Sequence, residues 1–342
     1  MGNIRLGLLG YTNFNSGIGL FIWELYKYLD GDSILSIGSV KGPQEVWSER
    51  QLTTFRPPSD VVLRDYFGRF LPEIVMFIET PFNHNLFALA HTYGAKTVAI
   101  TMHETCMVTT ASRADLVICP CYSAWEKSHT ASKKLLFLPI GIELFPFRER
   151  TGHVFLMNIG YGGPQDRRQA ETVIKAFCSL TDPNARMIIN SQVNFPGRID
   201  DPRIEYRLQN FPEPKDCYAD GDIYLSPTAY DGYGRPVLEA MACGLPCLTT
   251  DADPMNLFQH DHDFLVEPSG FERMTESWIE DTIYNRVSTE DVKKKMQWLL
   301  TIDTTKYSKR ARAQAEVQSW ESTEPDYKAI WLQTLEELCT IR

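Results

Sequence analysis

Two carboxylates, Asp231 and Glu239, stand eight residues apart in the stretch SPTAYDGYGRPVLEAMACGLPCLTTD, residues 226–251. Between them lie a Gly-Tyr-Gly turn and Pro236, which opens a short apolar run that Gly244 stops, with Pro246 just beyond. Proline in the first helical turn and glycine just past the last predict a loop, a helix of about two turns and a buried strand LPCLTT. The N-terminus of such a helix carries unpaired N–H groups and a partial positive charge, aimed here at Gly232, Tyr233 and Gly234. That is a place for an anion, and the two carboxylates add fixed acceptors for hydroxyl groups. Taken alone, the stretch is equally a glycine-rich crossover of an α/β sheet with no ligand.

Other residues with chemical potential occur elsewhere. Arg167 and Arg168 sit where a glycine-bearing loop, YGGPQD, runs into a segment with helical spacing of Ala170, Val173, Ile174 and Phe177. Adjacent arginines at a helix start oppose its dipole, which an anion held there would explain, since a guanidinium binds phosphate as a fork. A solvated surface pair is the alternative. Gly17 and Gly19 lie where the loop YTNFNSGIG enters a helix, so backbone N–H groups can face a phosphate or a sugar hydroxyl; glycines that merely permit a tight turn read the same way. Ile22 occupies the place of a third dinucleotide-fingerprint glycine, which argues against a nicotinamide cofactor. His103, directly after a β-rich run, should face a crevice.

The elements that must position these residues are legible as apolar runs. Ile4 to Leu9, PEIVMFIE, AKTVAITMH, ADLVICP and LLFLPIG alternate with plausible helices in the first part of the chain, and VFLMNIG, RMIIN, RIEYR, GDIYLSP, LPCLTT and DFLVEP follow in the second. Such alternation implies parallel sheets covered on both faces, whose ligands sit beyond the carboxyl ends of the strands. Glu79, His103, Glu104 and Ser123 lie at those ends in the first part. From about Thr275 onward the sequence reads as helical and amphipathic. The expected division is 1–150, 151–320 and a C-terminal helix over 321–342 that can pack back on the first domain.

Length and composition agree with this division. A chain of 342 residues exceeds one compact core and fits two. Its formal net charge of -10 disfavours nucleic acid, which requires clustered Lys and Arg, and at most peripheral membrane contact is expected. Eight scattered cysteines without metal-knuckle spacing read as reduced thiols of a cytoplasmic protein. The N-terminal segment reads as a first strand rather than a signal peptide, and no apolar run approaches a membrane span.

With two successive α/β units in place, DGYGRPVLEAMACGLP resembles the donor-site signature of retaining family-4 glycosyltransferases, the glycosyl transferases group 1, whose fold is GT-B. In that family an acidic residue, a Gly-aromatic-Gly turn and a glutamate eight positions later precede an EAMACGLPV-like helix and strand. The Gly17 and Gly19 loop, the strand ending in His103, ADLVICPCYS, LPIGIE and DFLVEPSG agree in order and spacing, so the resemblance spans nearly the whole chain. It implies an α/β architecture of two Rossmann-like domains facing across a donor-binding cleft. It also implies transfer of a sugar from a UDP- or GDP-sugar, with retention, to a glycan, lipid-linked sugar, metabolite or modified base.

No cofactor and no metal is implied, the site being metal-independent. By the same resemblance Asp231, His103 and Arg168 are catalytic. Gly17, Gly19, Arg167, Arg168, Gly232, Tyr233, Gly234 and Glu239 bind the donor, Glu239 through the ribose, and closure of the domains excludes water. Three positions depart from the pattern: Asp231 where glutamate is commoner, Tyr161 where an arginine is common, and ADPMN in place of a glycine pair followed by glutamate. Arg168 looks like the replacement for the family's phosphate-binding lysine. A nucleotide-sugar epimerase or hydrolase of the same shape, and a non-catalytic nucleotide-sugar-binding protein, stay open as alternatives.

Overall fold

A computed structural model describes residues 4–14, 16–38, 44–105, 108–132, 134–162, 166–276 and 279–340. The chain divides into two compact units, one made of residues 1–143 with 320–342, the other of residues 144–319. The division falls at Glu143/Leu144, ahead of the expected 150/151 boundary, and residues 320–342 belong with the first unit.

In the first unit the short apolar runs at the centre of the sheet become strands covered on both faces, while the edge strands are only partly buried. The order is β1 (Leu6–Gly10), α1 (Gly17–Tyr28), β2 (Ser33–Ile37), β3 (Gln51–Thr54), α2 (Asp60–Phe70), β4 (Ile74–Ile78), α3 (Leu86–Thr92), β5 (Lys96–Ile100), α4 (Val108–Ala111), β6 (Leu116–Cys119), α5 (Tyr122–Ser128) and β7 (Leu135–Phe137). The strands form one parallel sheet in the order β3-β2-β1-β4-β5-β6-β7. The order reverses at β1 and β4, the kind of place where such sheets hold ligands. Just past β4, Glu79 and Phe82 adopt left-handed backbone conformations with φ of 66° and 58°. Strain of this kind, about 1–3 kcal/mol for a non-glycine residue, collects at functional positions.

The second unit repeats the plan with β8 (Val154–Gly160), α6 (Ala170–Cys178), β9 (Arg186–Ser191), β10 (Ile204–Leu208), β11 (Ile223–Ser226), α7 (Arg235–Ala242), β12 (Cys247–Thr250) and β13 (Leu265–Val266). These strands form a parallel sheet in the order β10-β9-β8-β11-β12-β13, reversing at β8 and β11. Its core joins Phe155, Val173, Phe177, Ile189, Leu225 and Leu248, all fully buried or nearly so. The Phe155 and Phe177 rings meet edge to face at 5–7 Å spacing typical of such pairs, with centroids 6.2 Å apart. Burying each contributes roughly 1.5–3 kcal/mol, enough to fix α6 against β8.

Beyond this sheet the expectation of continuous helix from Thr275 fails. Residues Gly270–Glu276 (β14) and Ile279–Arg286 (β15) form an antiparallel hairpin. Ile279, Ile283 and Val287 are spaced by four and imitate a helix, but Thr282, Ile283 and Tyr284 favour a pleated surface. Ile279, Thr282 and Tyr284 are buried, and Met274, Ile279 and Tyr284 pack against Ala229 and Tyr230, immediately before Asp231. The burial gained by this packing decides the conformation. Helix returns at α8 (Thr289–Leu299), capped by the Ser288 side chain, and α9 (Thr304–Val317).

The chain then re-enters the first unit and ends in α10 (Tyr327–Thr340). Trp320 stacks on Tyr28, centroids 5.5 Å apart, and donates its indole N–H to Glu24 at 3.2 Å. Trp331, fully buried, donates to the Pro139 carbonyl at 3.0 Å.

Candidate functional site

In the second unit Arg168 leaves the loop after β8, and Asp231 leaves the loop after β11. They therefore approach one another at the sheet's reversal point. The loop 227–234 is pinned on every side. Gln169, in a left-handed conformation at the N-cap of α6, donates its amide to Pro227 O and Asn285 O at 2.8 and 3.0 Å, and Ala229 N donates to Arg167 O at 2.8 Å. Thr249 and Thr250 of β12 donate their hydroxyls to Ser226 O and Thr228 O. On the hairpin side, Asn285 N donates to Ala229 O at 2.8 Å.

This framework holds Asp231 at 8% exposure. Its Oδ2 accepts from Arg168 Nη1 at 3.0 Å, and its Oδ1 accepts from the N–H groups of Gly234 and Tyr233 at 3.1 and 3.4 Å. Burial pushes the carboxyl up. Arg168, then Arg167, and the two N–H groups outweigh burial and hold it below the ordinary carboxylate value. Arg167 lies with its guanidinium 5.7 Å from the centre of the buried Tyr230 ring and donates to Gly162 O at 3.3 Å. Gly232 occupies the same turn. Gly234, the N-cap of α7, has φ of 80°, a conformation that favours glycine, and a Cβ there would lie a tight 3.1 Å from Pro254 O.

The arginines precede α6, which starts at Ala170, and are not in its first turn. The N–H groups of that turn go to Asp166, whose Oδ1 and Oδ2 accept from Ala170 and Glu171 at 3.0 and 3.3 Å. The part of YGGPQD at 163–165 lies outside the described residues.

Helix α7 runs between the proline and glycine signals, and Gly244 at φ 83° ends it. Glu239 lies on it at 7% exposure, and both carboxylate oxygens are engaged within the protein. Arg235 Nε, one turn earlier, donates to Oε1 at 2.5 Å, and the Tyr218 hydroxyl donates to Oε2 at 2.8 Å. Sequence reasoning missed both partners. The Arg235–Glu239 spacing of four was visible in RPVLE, whereas Tyr218 comes from a 3-10 turn (Pro214–Tyr218) that no motif marks. A ribose hydroxyl meeting Glu239 would share these oxygens with Arg235 and Tyr218.

Gly17, Gly19 and His103 lie in the first unit. Gly19 N donates to Ser16 Oγ at 3.1 Å, so the N-cap of α1 already accepts it. A Cβ on Gly19 would fall 1.8 Å from Asn13 O, which explains that glycine by close backbone approach; Gly17 has open space around it. His103, just past β5, is 5% exposed, and its carbonyl accepts from Lys127 Nζ at 2.7 Å. Ser16→Ala removes a helix cap and is expected to lower stability by about 1 kcal/mol. Faster hydrogen exchange in the first turn of α1, without change elsewhere, would show it.

Residues 179–281 match the family model described as Glycosyl transferases group 1. The matched span includes Asp231, the turn and Glu239, and begins after Arg168. A sucrose synthase of Melioribacter roseus is 30% identical over 108 residues, 28% of this chain, and the match covers only 13% of that relative's length. Among solved structures, sucrose-phosphate synthase from Thermosynechococcus elongatus aligns with a TM-score of 0.69 at 13% identity, over 98% of this chain and 99% of that one. Anabaena Alr3699/HepE in complex with UDP and glucose aligns with a TM-score of 0.67 at 13% identity, over 98% and 100%. The fold of two parallel-sheet α/β units is that of GT-B glycosyltransferase structures.

Proposed function

We propose that the protein transfers a sugar from a nucleotide diphosphate sugar to a hydroxyl acceptor with retention at the anomeric carbon. The observation that carries this reading is the convergence of Arg168 and two backbone N–H groups on one buried anionic point at the reversal of the second sheet. Breaking the bond from anomeric carbon to phosphate puts negative charge on the departing diphosphate and positive charge on the sugar. Preformed donors are worth most where such charge develops. Arg168, with Arg167 and the turn at Tyr233 and Gly234, takes the diphosphate. Glu239 takes the ribose, and Asp231 faces the donor sugar.

The acceptor side is assigned to the first unit, with His103, and Gly17 and Gly19 stay assigned to the donor. The UDP and glucose held by Anabaena HepE support a UDP-sugar as the donor to try first. The arginines supply the countercharge, so transfer in EDTA at an undiminished rate is the expected result.

Thermal shift and calorimetry against UDP, GDP, ADP and their sugars test the reading, with UDP or GDP raising the melting temperature of the protein. Absence of binding by every nucleotide would overturn it. A second reading, a nucleotide-sugar-binding protein without catalysis, is favoured by the engagement of Glu239 with Arg235 and Tyr218, and it predicts tight binding with no turnover across a broad acceptor panel.

A further inference from the structure

The donors assigned to the diphosphate are already bonded to a residue of the chain. Arg168 Nη1, Gly234 N and Tyr233 N all end on the Asp231 carboxylate, at 3.0, 3.1 and 3.4 Å. Both side chains of the Arg168–Asp231 pair retain only 12% exposure, so the pair is set within the unit and is not a surface contact. A carboxylate bonded to the N–H groups two and three residues ahead is an Asx turn, a conformation available to Asp and Asn because their side chains are short. Glutamate is one methylene longer and closes that ring less readily. The presence of aspartate, where the resembling family more often has glutamate, thus has a local consequence: the acidic group folds back onto its own turn.

We propose that Asp231 is an internal stand-in for the diphosphate, holding Arg168 and the 233–234 turn in receptor geometry until a donor arrives and then yielding those three donors to it. The proposal rests on the functional reading above and adds a sequence of events. Two anions cannot share donors only about 3 Å away without strong repulsion in a buried setting. The carboxylate must therefore swing off the turn as the diphosphate enters. Freed in this way, it stands beside the anomeric carbon only when a donor is bound. The charge that stabilises the developing positive sugar is deployed by the donor itself.

Asp231→Asn separates charge from geometry, since the amide oxygen can still accept from the turn while the competing negative charge is gone. Calorimetry with inorganic pyrophosphate, and in parallel with UDP, is expected to show binding by the variant about tenfold tighter than by the unsubstituted chain. Glu171→Gln, which removes a surface carboxylate paired with Lys175 on α6, is expected to stay within about twofold, separating displacement from net charge. The increase should vanish when Arg168→Ala is added. Asp231→Ser, a short acceptor without charge, repeats the measurement if the Asn variant fails to fold.

Pyrophosphate binding that is unchanged or weaker in both variants overturns the proposal, and a purely structural ion pair would give that result. Tighter pyrophosphate binding with no nucleotide bound by any form would leave the stand-in correct and the nucleotide-sugar reading wrong. UDP binding by the unsubstituted chain without tightening in the variants would do the reverse.

Discussion

Arg168→Ala is expected to slow sugar transfer by roughly a hundredfold to a thousandfold at saturating donor, the usual loss when a preformed charge-assisted contact to a developing anion is removed. Among the described residues the Arg168 guanidinium bonds to Asp231 Oδ2, and its buried Nε has no hydrogen-bond partner. The same substitution leaves Asp231 buried without its cation, and breaking such a pair destabilises a protein by about 3–5 kcal/mol. The rate must therefore be read beside a denaturant titration, at a temperature where the variant is folded. Arg168→Lys, a point charge without the fork, should recover part of the rate. A folded Arg168→Ala protein that keeps more than about a tenth of the turnover would remove Arg168 from the diphosphate.

What the sequence showed of this site was its local half. Pro236 and Gly244 bracket α7 because one is tolerated in the first turn and the other ends the helix at φ 83°, and these are properties of single residues. Buried parallel strands announced themselves as apolar runs for the same reason. The pairing of Arg168 with Asp231 joins residues 63 apart through two loops whose paths are set by Gln169, Thr249, Thr250 and Asn285, and no spacing rule reports that.

From about Thr275 to Arg286 the hairpin reads as helix, its isoleucines repeating at a helical interval, while the surface it must cover, Ala229 and Tyr230, is remote in sequence. Gly19 was legible as a special glycine, while the close carbonyl of Asn13, on which a Cβ would fall, is visible only in the fold. In each case local chemistry could be read and the tertiary partner could not.

The segment between the two sheets gives the other large expected effect. No motif marks residues 146–152, yet Arg150 within them is 2% exposed. Its guanidinium donates to Gly221 O at 2.6 Å, Ala219 O at 2.8 Å, Tyr218 O at 3.1 Å and Cys243 O at 3.1 Å. Burial, with Arg148 nearby, pushes the group down to about 10, so it is fully charged at neutral pH.

One side chain thus satisfies the carbonyl that follows α7 and the carbonyls of the turn that carries Tyr218. Tyr218 in turn holds Glu239. Removing the guanidinium takes these donors from Ala219 O and Tyr218 O and leaves Cys243 O and Gly221 O the long bonds from Arg148 at 3.4 and 3.5 Å, each buried acceptor left unpaired being worth about 1–3 kcal/mol. Arg150→Met is therefore expected to destabilise the second unit by on the order of 4 kcal/mol. Because the chain has two units, hydrogen exchange is the suitable measurement. Amides of β11 and α7 should exchange faster, while β1 and β4 keep their protection. Arg150→Lys, with three donors and a shorter reach, should fall between. A Met variant within about 1 kcal/mol of the unsubstituted chain would show that this clamp is dispensable, and that the Glu239 geometry is held by α7 alone.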